Sequence, residues 1–143
     1  MASVVIDPAA LRELLYSPQG PVYRDIQIQT SKVKNRALAL CPVNGGRLRA
    51  SITDQVIMEP TGPVGRVGTN VEYALFVHEG TGIYGPKGQP YTIVPRAKRA
   101  LAFVWKGAPT APNGRGGRHV YRRVTIQGTR PKPFLRNALD AIG

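Results

Sequence analysis

RLRASITDQVIMEPTGPVGRVG, residues 47–68, carries the strand signal around which the rest of the chain is organised. Leu48, Ala50 and Ile52, then Val56 and Met58, alternate in part with polar neighbours. That is the period-two pattern of a half-buried strand, and it leaves room for a helical turn at its start. Thr61-Gly62-Pro63 is a turn signal, and Val64 to Gly68 reads as a short return strand. An antiparallel pair therefore sits near the middle of the chain.

Towards the N-terminus, Asn44-Gly45-Gly46 is a turn. Before it, Val22, Ile26, Val33, Ala37 and Leu40 recur at helical spacing, with Arg24, Lys32, Lys34 and Arg36 largely off that stripe. Pro42 ends this helix near Cys41, which reads as a buried small apolar residue. Earlier still, Asp7 can cap a short helix that Pro8 opens and that Ala10, Leu11, Leu14 and Leu15 make apolar on one side. Ser17 to Pro21 breaks it, leaving a helical arm over about residues 1–20.

Towards the C-terminus, Val71 to Glu79 suits a short helix that buries Tyr73, Phe76 and Val77 and ends at Gly80-Thr81-Gly82. A loop rich in Gly and Pro covers 83–90, and Tyr91 to Val94 is a strand stopped by Pro95. Leu101, Phe103 and Trp105 share one face of the next strand and Ala100, Ala102 and Val104 the other, so it reads as a central strand. Val120 to Ile126 alternates and is expected to pair with it as a hairpin. The connection Gly107–Arg118, with Pro109, Pro112, four glycines and two arginines, is long for a hairpin loop, a mark of loops that either work or move. After a breaker over Thr129 to Pro133, Phe134, Leu135, Ala138, Leu139 and Ile142 form a terminal helix. The expected fold is α+β: N-terminal helices packed on a mainly antiparallel sheet, with a long hairpin loop and a C-terminal helix. No repeat and no linker divides the chain, so residues 1–143 read as a single domain.

Composition narrows the function. The 143 residues are 42% hydrophobic with mean hydropathy −0.19, which suits a soluble globular protein and not a disordered tail. No apolar run approaches the roughly 20 residues that span a bilayer. The N-terminal residues lack a basic region before an apolar stretch, so no signal peptide is expected. One cysteine makes no intramolecular disulfide, and a reducing compartment is the default. The net charge is +12, with pI about 10.6. Residues 1–82 hold eight Lys/Arg against seven Asp/Glu, a net of +1, whereas residues 83–143 hold twelve against Asp140 alone, a net of +11. Nucleic acid, an anionic membrane or an acidic protein surface are the usual partners of such charge. An evenly solvated basic surface is the plainer alternative.

Catalytic chemistry finds little purchase. His78 and His119 are the only histidines, and His78-Glu79 lacks the second histidine of a helical zinc-protease motif. His78 is better read as a packed or interface residue. No spacing singles out a carboxylate pair, and no serine or cysteine sits in a nucleophile elbow. Gly114-Arg115-Gly116-Gly117 lacks the Gly-Lys-Ser/Thr ending of a phosphate-binding loop. No enzymatic activity, metal or cofactor is expected. Arg115, Arg118, Arg122 and Arg123, beside His119 and Tyr121, could grip a nucleic-acid backbone and stack on a base. The wider basic surface adds Lys87, Arg96, Lys98, Arg99, Arg130 and Lys132. No helix-turn-helix, zinc-finger or RNA-recognition signature accompanies it, so electrostatic contact is expected and not sequence reading.

Three segments in order carry a family resemblance: Cys41 to Ile52 (CPVNGGRLRASI), Gly68 to Gly82 (GTNVEYALFVHEGTG) and Lys132 to Leu139 (KPFLRNAL). They resemble the neck or tail-completion proteins of long-tailed bacteriophages, the siphophages. That family carries a Pro-Val-Asp-Thr-Gly-Arg-Leu-Arg-x-Ser element, a Tyr-Ala-x-x-Val-Glu-x-Gly-Thr element and a terminal Pro-Phe-Leu-x-x-Ala helix. The resemblance covers roughly residues 20–140. Asn44-Gly45 stands where Asp-Thr is usual, His78-Glu79 replaces a Glu-Phe or Glu-Tyr pair, and nothing carries over to Gly107–Arg118.

The resemblance implies a structural virion protein without catalytic residues. It would be a ring subunit, as a homo-oligomer (hexamer), at the head–tail junction, joining portal-side connector rings to the tail during assembly. Its partners would be copies of itself and neighbouring neck, stopper or tail proteins, with non-specific contact to packaged DNA and none to membrane. Its place would be the virion, and the host cytoplasm during assembly. The loops around Gly82–Pro90 and Gly107–Arg118 would reach neighbours, and Arg47, Arg49, His78, Glu79, Phe134 and Arg136 are the candidate inter-subunit contacts. The alternatives are a tail terminator capping the tail tube and a free basic nucleic-acid-binding protein.

Overall fold

The computed structural model describes residues 4–104 and 118–143. Contacts fall into two compact units, Met1–His78 with Lys132–Gly143, and Glu79–Pro131, where the sequence shows no linker.

The first unit begins with α1 (Pro8–Tyr16). The Ala9 N–H donates to the Asp7 carboxylate at 2.9 Å, which caps the helix. No residue of α1 is buried, in keeping with an arm. α2 (Pro21–Leu40) starts on Pro21 and stops at Cys41, one residue before Pro42. The turn at Gly45 and Gly46, both with positive φ (78° and 77°), leads into α3 (Arg47–Ala50), the helical turn expected before the strand. β1 (Ile52–Glu59) and β2 (Gly62–Thr69) pair antiparallel from Ile52↔Thr69 to Glu59↔Gly62. α4 (Ala74–Glu79) follows, and α5 (Phe134–Asp140) closes the chain. The long helix α2 packs on both strands of the hairpin and on α5, so the fold is α+β as expected.

The core of this unit gathers Ala37 from α2, Leu48 from α3, Ile52 from β1, Ala74 from α4, Phe134 and Ala138 from α5, and Cys41. Phe134 is the one large side chain there that is wholly enclosed. Burial pushes the Cys41 thiol up in pKa, so it behaves as the apolar residue expected. Beside the core, Lys34 reaches Asp54 at 2.7 Å and the Ser31 hydroxyl donates to it at 3.1 Å. The lysine's hydrogen bond, more than any other influence, holds the Asp54 carboxyl below its ordinary value. One expectation fails. Tyr73 and Phe76 are exposed, Phe76 by 58%. The helix starts later than the apolar run and approaches the core through Ala74, leaving the two aromatic rings outward.

Among its described residues the second unit holds a single 3-10 turn (Gly82–Tyr84) and four short strands: β3 (Tyr91–Ile93), β4 (Leu101–Val104), β5 (Arg118–Tyr121) and β6 (Val124–Ile126). β3 pairs antiparallel with β6 and β4 with β5. The β4–β5 pairing matches the expected hairpin, whose loop, with Trp105, lies outside the described residues. Two expectations need correction. The run Val120 to Ile126 is not one strand: it divides at Arg122-Arg123, its first part pairing with β4 and its second with β3. β4 is not central: among the described residues it pairs only with β5, and Ala102 and Val104 are exposed. A strand apolar on both faces can be buried on both or can hold one for a partner, and periodicity does not separate the two.

Two substitutions test this packing. Phe134→Ala should cost about 3–5 kcal/mol of unfolding free energy, measured by denaturant titration. Asp54→Asn should cost about 1 kcal/mol at neutral pH. Because the folded-state pKa is depressed, the wild-type advantage is present above the ordinary value of 3.8 and disappears as pH falls through the folded-state value. Stability curves of the two proteins that fail to converge in acid would contradict the assignment.

Candidate functional site

The division into units relocates the charge. Glu79–Pro131 holds ten Lys/Arg and one acid, Glu79, a net of +9; the rest of the chain holds ten against seven, a net of +3. Both ion pairs among the described residues, Lys34–Asp54 and Arg66–Glu59, belong to the first unit. The cations of the second unit have one carboxylate among them, so they chiefly repel one another.

Strand register places five of them on the two segments that span one gap. Ile93↔Val124 ends the β3–β6 ladder and Leu101↔Tyr121 begins the β4–β5 ladder. Residues 94–100 on one side and Arg122-Arg123 on the other therefore span the same gap. Arg96, Lys98 and Arg99 lie on the first segment, and all five cations are exposed. The gap works as an extended bulge, with many residues on one strand facing two on the other. Sequence reading grouped Arg122 and Arg123 with Arg115 and Arg118, but proximity along the chain is a poor guide here. The pairing that joins them to Arg96, Lys98 and Arg99 has no signature in the sequence.

The remaining basic positions are dispersed. Lys87 is exposed in the loop after the 3-10 turn, and the Arg130 guanidinium lies 5.7 Å over the Tyr84 ring. Lys132 belongs to the first unit, where its backbone N–H donates to the Val77 carbonyl at 2.9 Å. Arg118 opens β5 opposite Val104, and Arg115 lies outside the described residues. The aromatic residues expected to stack on a base stack within the ribbon instead. His119 is buried, its ring 6.3 Å from Phe103 and 6.1 Å from Tyr121, with the Tyr121 hydroxyl 3.4 Å from Nδ1.

Of the candidate subunit contacts, Arg47, Arg49, Glu79 and Arg136 are exposed. His78 packs edge-on against Phe134, ring centroids 5.9 Å apart, as a packed histidine should. Phe134 is 2% exposed. It is a core residue of its own subunit, which corrects its assignment as a contact. Among the described residues no group of three His, Cys, Asp or Glu could hold a metal ion.

A backbone crossing holds the ends of the second unit together. The Thr81 N–H donates to the Thr129 carbonyl at 3.0 Å, the Thr129 N–H to the Thr81 hydroxyl at 3.1 Å, and the Ile83 N–H to the Gln127 carbonyl at 2.7 Å. The approach is close enough that only glycine fits at two positions. A Cβ at Gly82 (φ 65°) would land on the Gln127 carbonyl oxygen, and one at Gly128 (φ 113°) on that of Thr81. The sequence marks Gly82 as part of a helix end and carries no sign that Gly128 meets it.

Comparison with models of known families, with curated proteins and with solved structures finds no match.

Gly82→Ala and Gly128→Ala should each open the Thr81–Thr129 crossing. Hydrogen exchange should then lose protection across 79–131 while α2, β1 and β2 keep theirs. Unchanged protection at Thr81, Ile83 and Thr129 in both variants would show that the crossing tolerates a side chain.

Proposed function

We propose that this chain is a structural ring subunit of a bacteriophage head–tail junction, a neck or tail-completion protein that joins portal-side rings to the tail by assembly and without catalysis. The ordered resemblance of Cys41–Ile52, Gly68–Gly82 and Lys132–Leu139 names the family. One structural observation supports an assembly role: among the described residues of the second unit, no large apolar side chain is buried. Val104 is 67% and Val120 51% exposed, on the same face of the β4–β5 ribbon. Two-stranded ladders are marginal in water by themselves, and apolar surface left open on a folded chain marks a contact.

A ring closed by head-to-tail contacts needs two different side surfaces on each subunit. The second unit offers the Val104/Val120 face. The first offers a groove of about 650 Å³ between α2, β2 and α5, with Ile26, Val33, Val67, Leu135 and Leu139 in its walls. No helix among the described residues is long and apolar enough to cross a membrane.

The intact protein should give a closed ring by native mass spectrometry and a symmetric ring in electron micrographs. Val104→Asp with Val120→Asp should yield monomers whose circular dichroism still reports a folded first unit. A wild-type chain that stays monomeric at all concentrations, or particles that complete their head–tail joints without it, would overturn the proposal.

A further inference from the structure

We infer that the cation cluster Arg96, Lys98, Arg99, Arg122 and Arg123 is a binding site for the phosphate backbone of double-stranded DNA. Three observations carry this. First, the five residues lie on the two segments, 94–100 and 122–123, that bridge the same gap between the two ladders, and every one is exposed. Second, the unit that holds them has one carboxylate for ten cations, so the charge is not neutralised within the unit. Bringing like charges together costs free energy that an arriving polyanion would recover.

Third, the residue types suit phosphate better than protein. Four of the five are arginines, whose planar fork meets phosphate oxygens in pairs. The interior of a protein interface is poor in charge and built around buried anchors such as aromatic rings, whereas Arg122 and Arg123 carry charge side by side between two ladders. The 3-10 turn Gly82–Tyr84 is the sole helical element among the described residues of this unit. None of these five cations lies on a helix that could enter a groove, which favours contact with the backbone over sequence reading. Arg122 and Arg123 are adjacent at the step between β5 and β6, and Arg96 to Arg99 follow the end of β3, so the cations are carried on two successive stretches of backbone. Charge spread along backbone suits the regular charge of a duplex.

This inference deepens the assembly reading, on which it rests only for the source of the DNA. The two fail separately, because ring mass reports on one and salt-dependent DNA binding on the other. The test is fluorescence anisotropy of a labelled duplex of random sequence with the full-length protein. Five neutralised phosphates predict a slope of log affinity against log salt of about −4.5, hence a loss of roughly 500-fold between about 50 and 200 mM salt. R96Q/K98Q/R99Q/R122Q/R123Q should lower affinity at low salt by on the order of 100-fold and flatten that slope. R12Q/R24Q/K32Q/R36Q, which removes exposed cations of the first unit, should leave both nearly unchanged; circular dichroism checks that both variants fold. Equal losses in the two variants would show that net charge alone attracts DNA and overturn the site. So would binding to poly-glutamate as tight as binding to DNA, which would favour an acidic protein face instead.

Discussion

The fold depends on the enclosure of one ring. Phe134 shares its core with residues from α2, α3, β1 and α4, and everything else buried there is smaller. Ala37 and Ala138 are wholly buried on two helices that pack together; small side chains let the helix backbones approach closely enough to close over the ring. Because Phe134 comes near the end of the chain, the core is complete only when α5 docks. The chain leaves the first unit at His78 and re-enters at Lys132. His78 packs on the Phe134 ring, and the Lys132 N–H bonds Val77, so both ends of the excursion are tied to the same core. Within the excursion, Thr81 and Thr129 repeat the clamp. Two successive clamps reduce the loop-closure entropy of everything between them.

What lies between them could not stand on hydrophobic burial. Among the described residues its strands are three or four residues long, and none of its large apolar side chains is buried. Such a unit gains order from the clamp at its base and from cross-strand pairs such as the Thr92 and Thr125 hydroxyls 3.1 Å apart. A protein meant to act alone would gain little by leaving Val104 and Val120 open, and it would risk aggregation through them. A subunit of an assembly uses that surface to build the contact.

The first unit was largely legible in the sequence because local signals and tertiary packing agree there. Asp7 and Pro8 open α1, Pro21 and Pro42 bracket α2, and the hairpin turns at Pro60-Thr61, at the leading edge of the expected Thr61-Gly62-Pro63 signal; each is a backbone constraint that packing has no reason to override. Tyr73 and Phe76 misled because an apolar run on a short helix says that a face will be covered, not by which molecule. Phe134 misled in the opposite sense: a position within a family motif was taken for a contact, when its chemistry was that of a core. In the second unit the informative event is the division of Val120–Ile126 at Arg122-Arg123. Its alternation continues through the break, so periodicity sees one strand. Only pairing, with β4 before the break and β3 after it, reveals two, and with them the two cation-bearing segments that bridge the gap.

Charge and core are linked in this molecule. Where the core is, acids and bases are nearly balanced and two ion pairs form, Lys34–Asp54 and Arg66–Glu59. Where the core is thin, the balance is +9 with a single acid. Like charge destabilises a compact state most when little burial opposes it, so the second unit combines two features that each weaken an isolated fold. Selection for stability alone would remove one of them, since a few Glu for Lys exchanges near Arg96 and Arg122 would suffice. Their coexistence is coherent if the unit works in a covered and neutralised state, with apolar contacts supplied by neighbouring subunits and negative charge by a polyanion. Each partner then relieves a different cost, so neither can replace the other. Salt should weaken the ionic contact while leaving the apolar one in place.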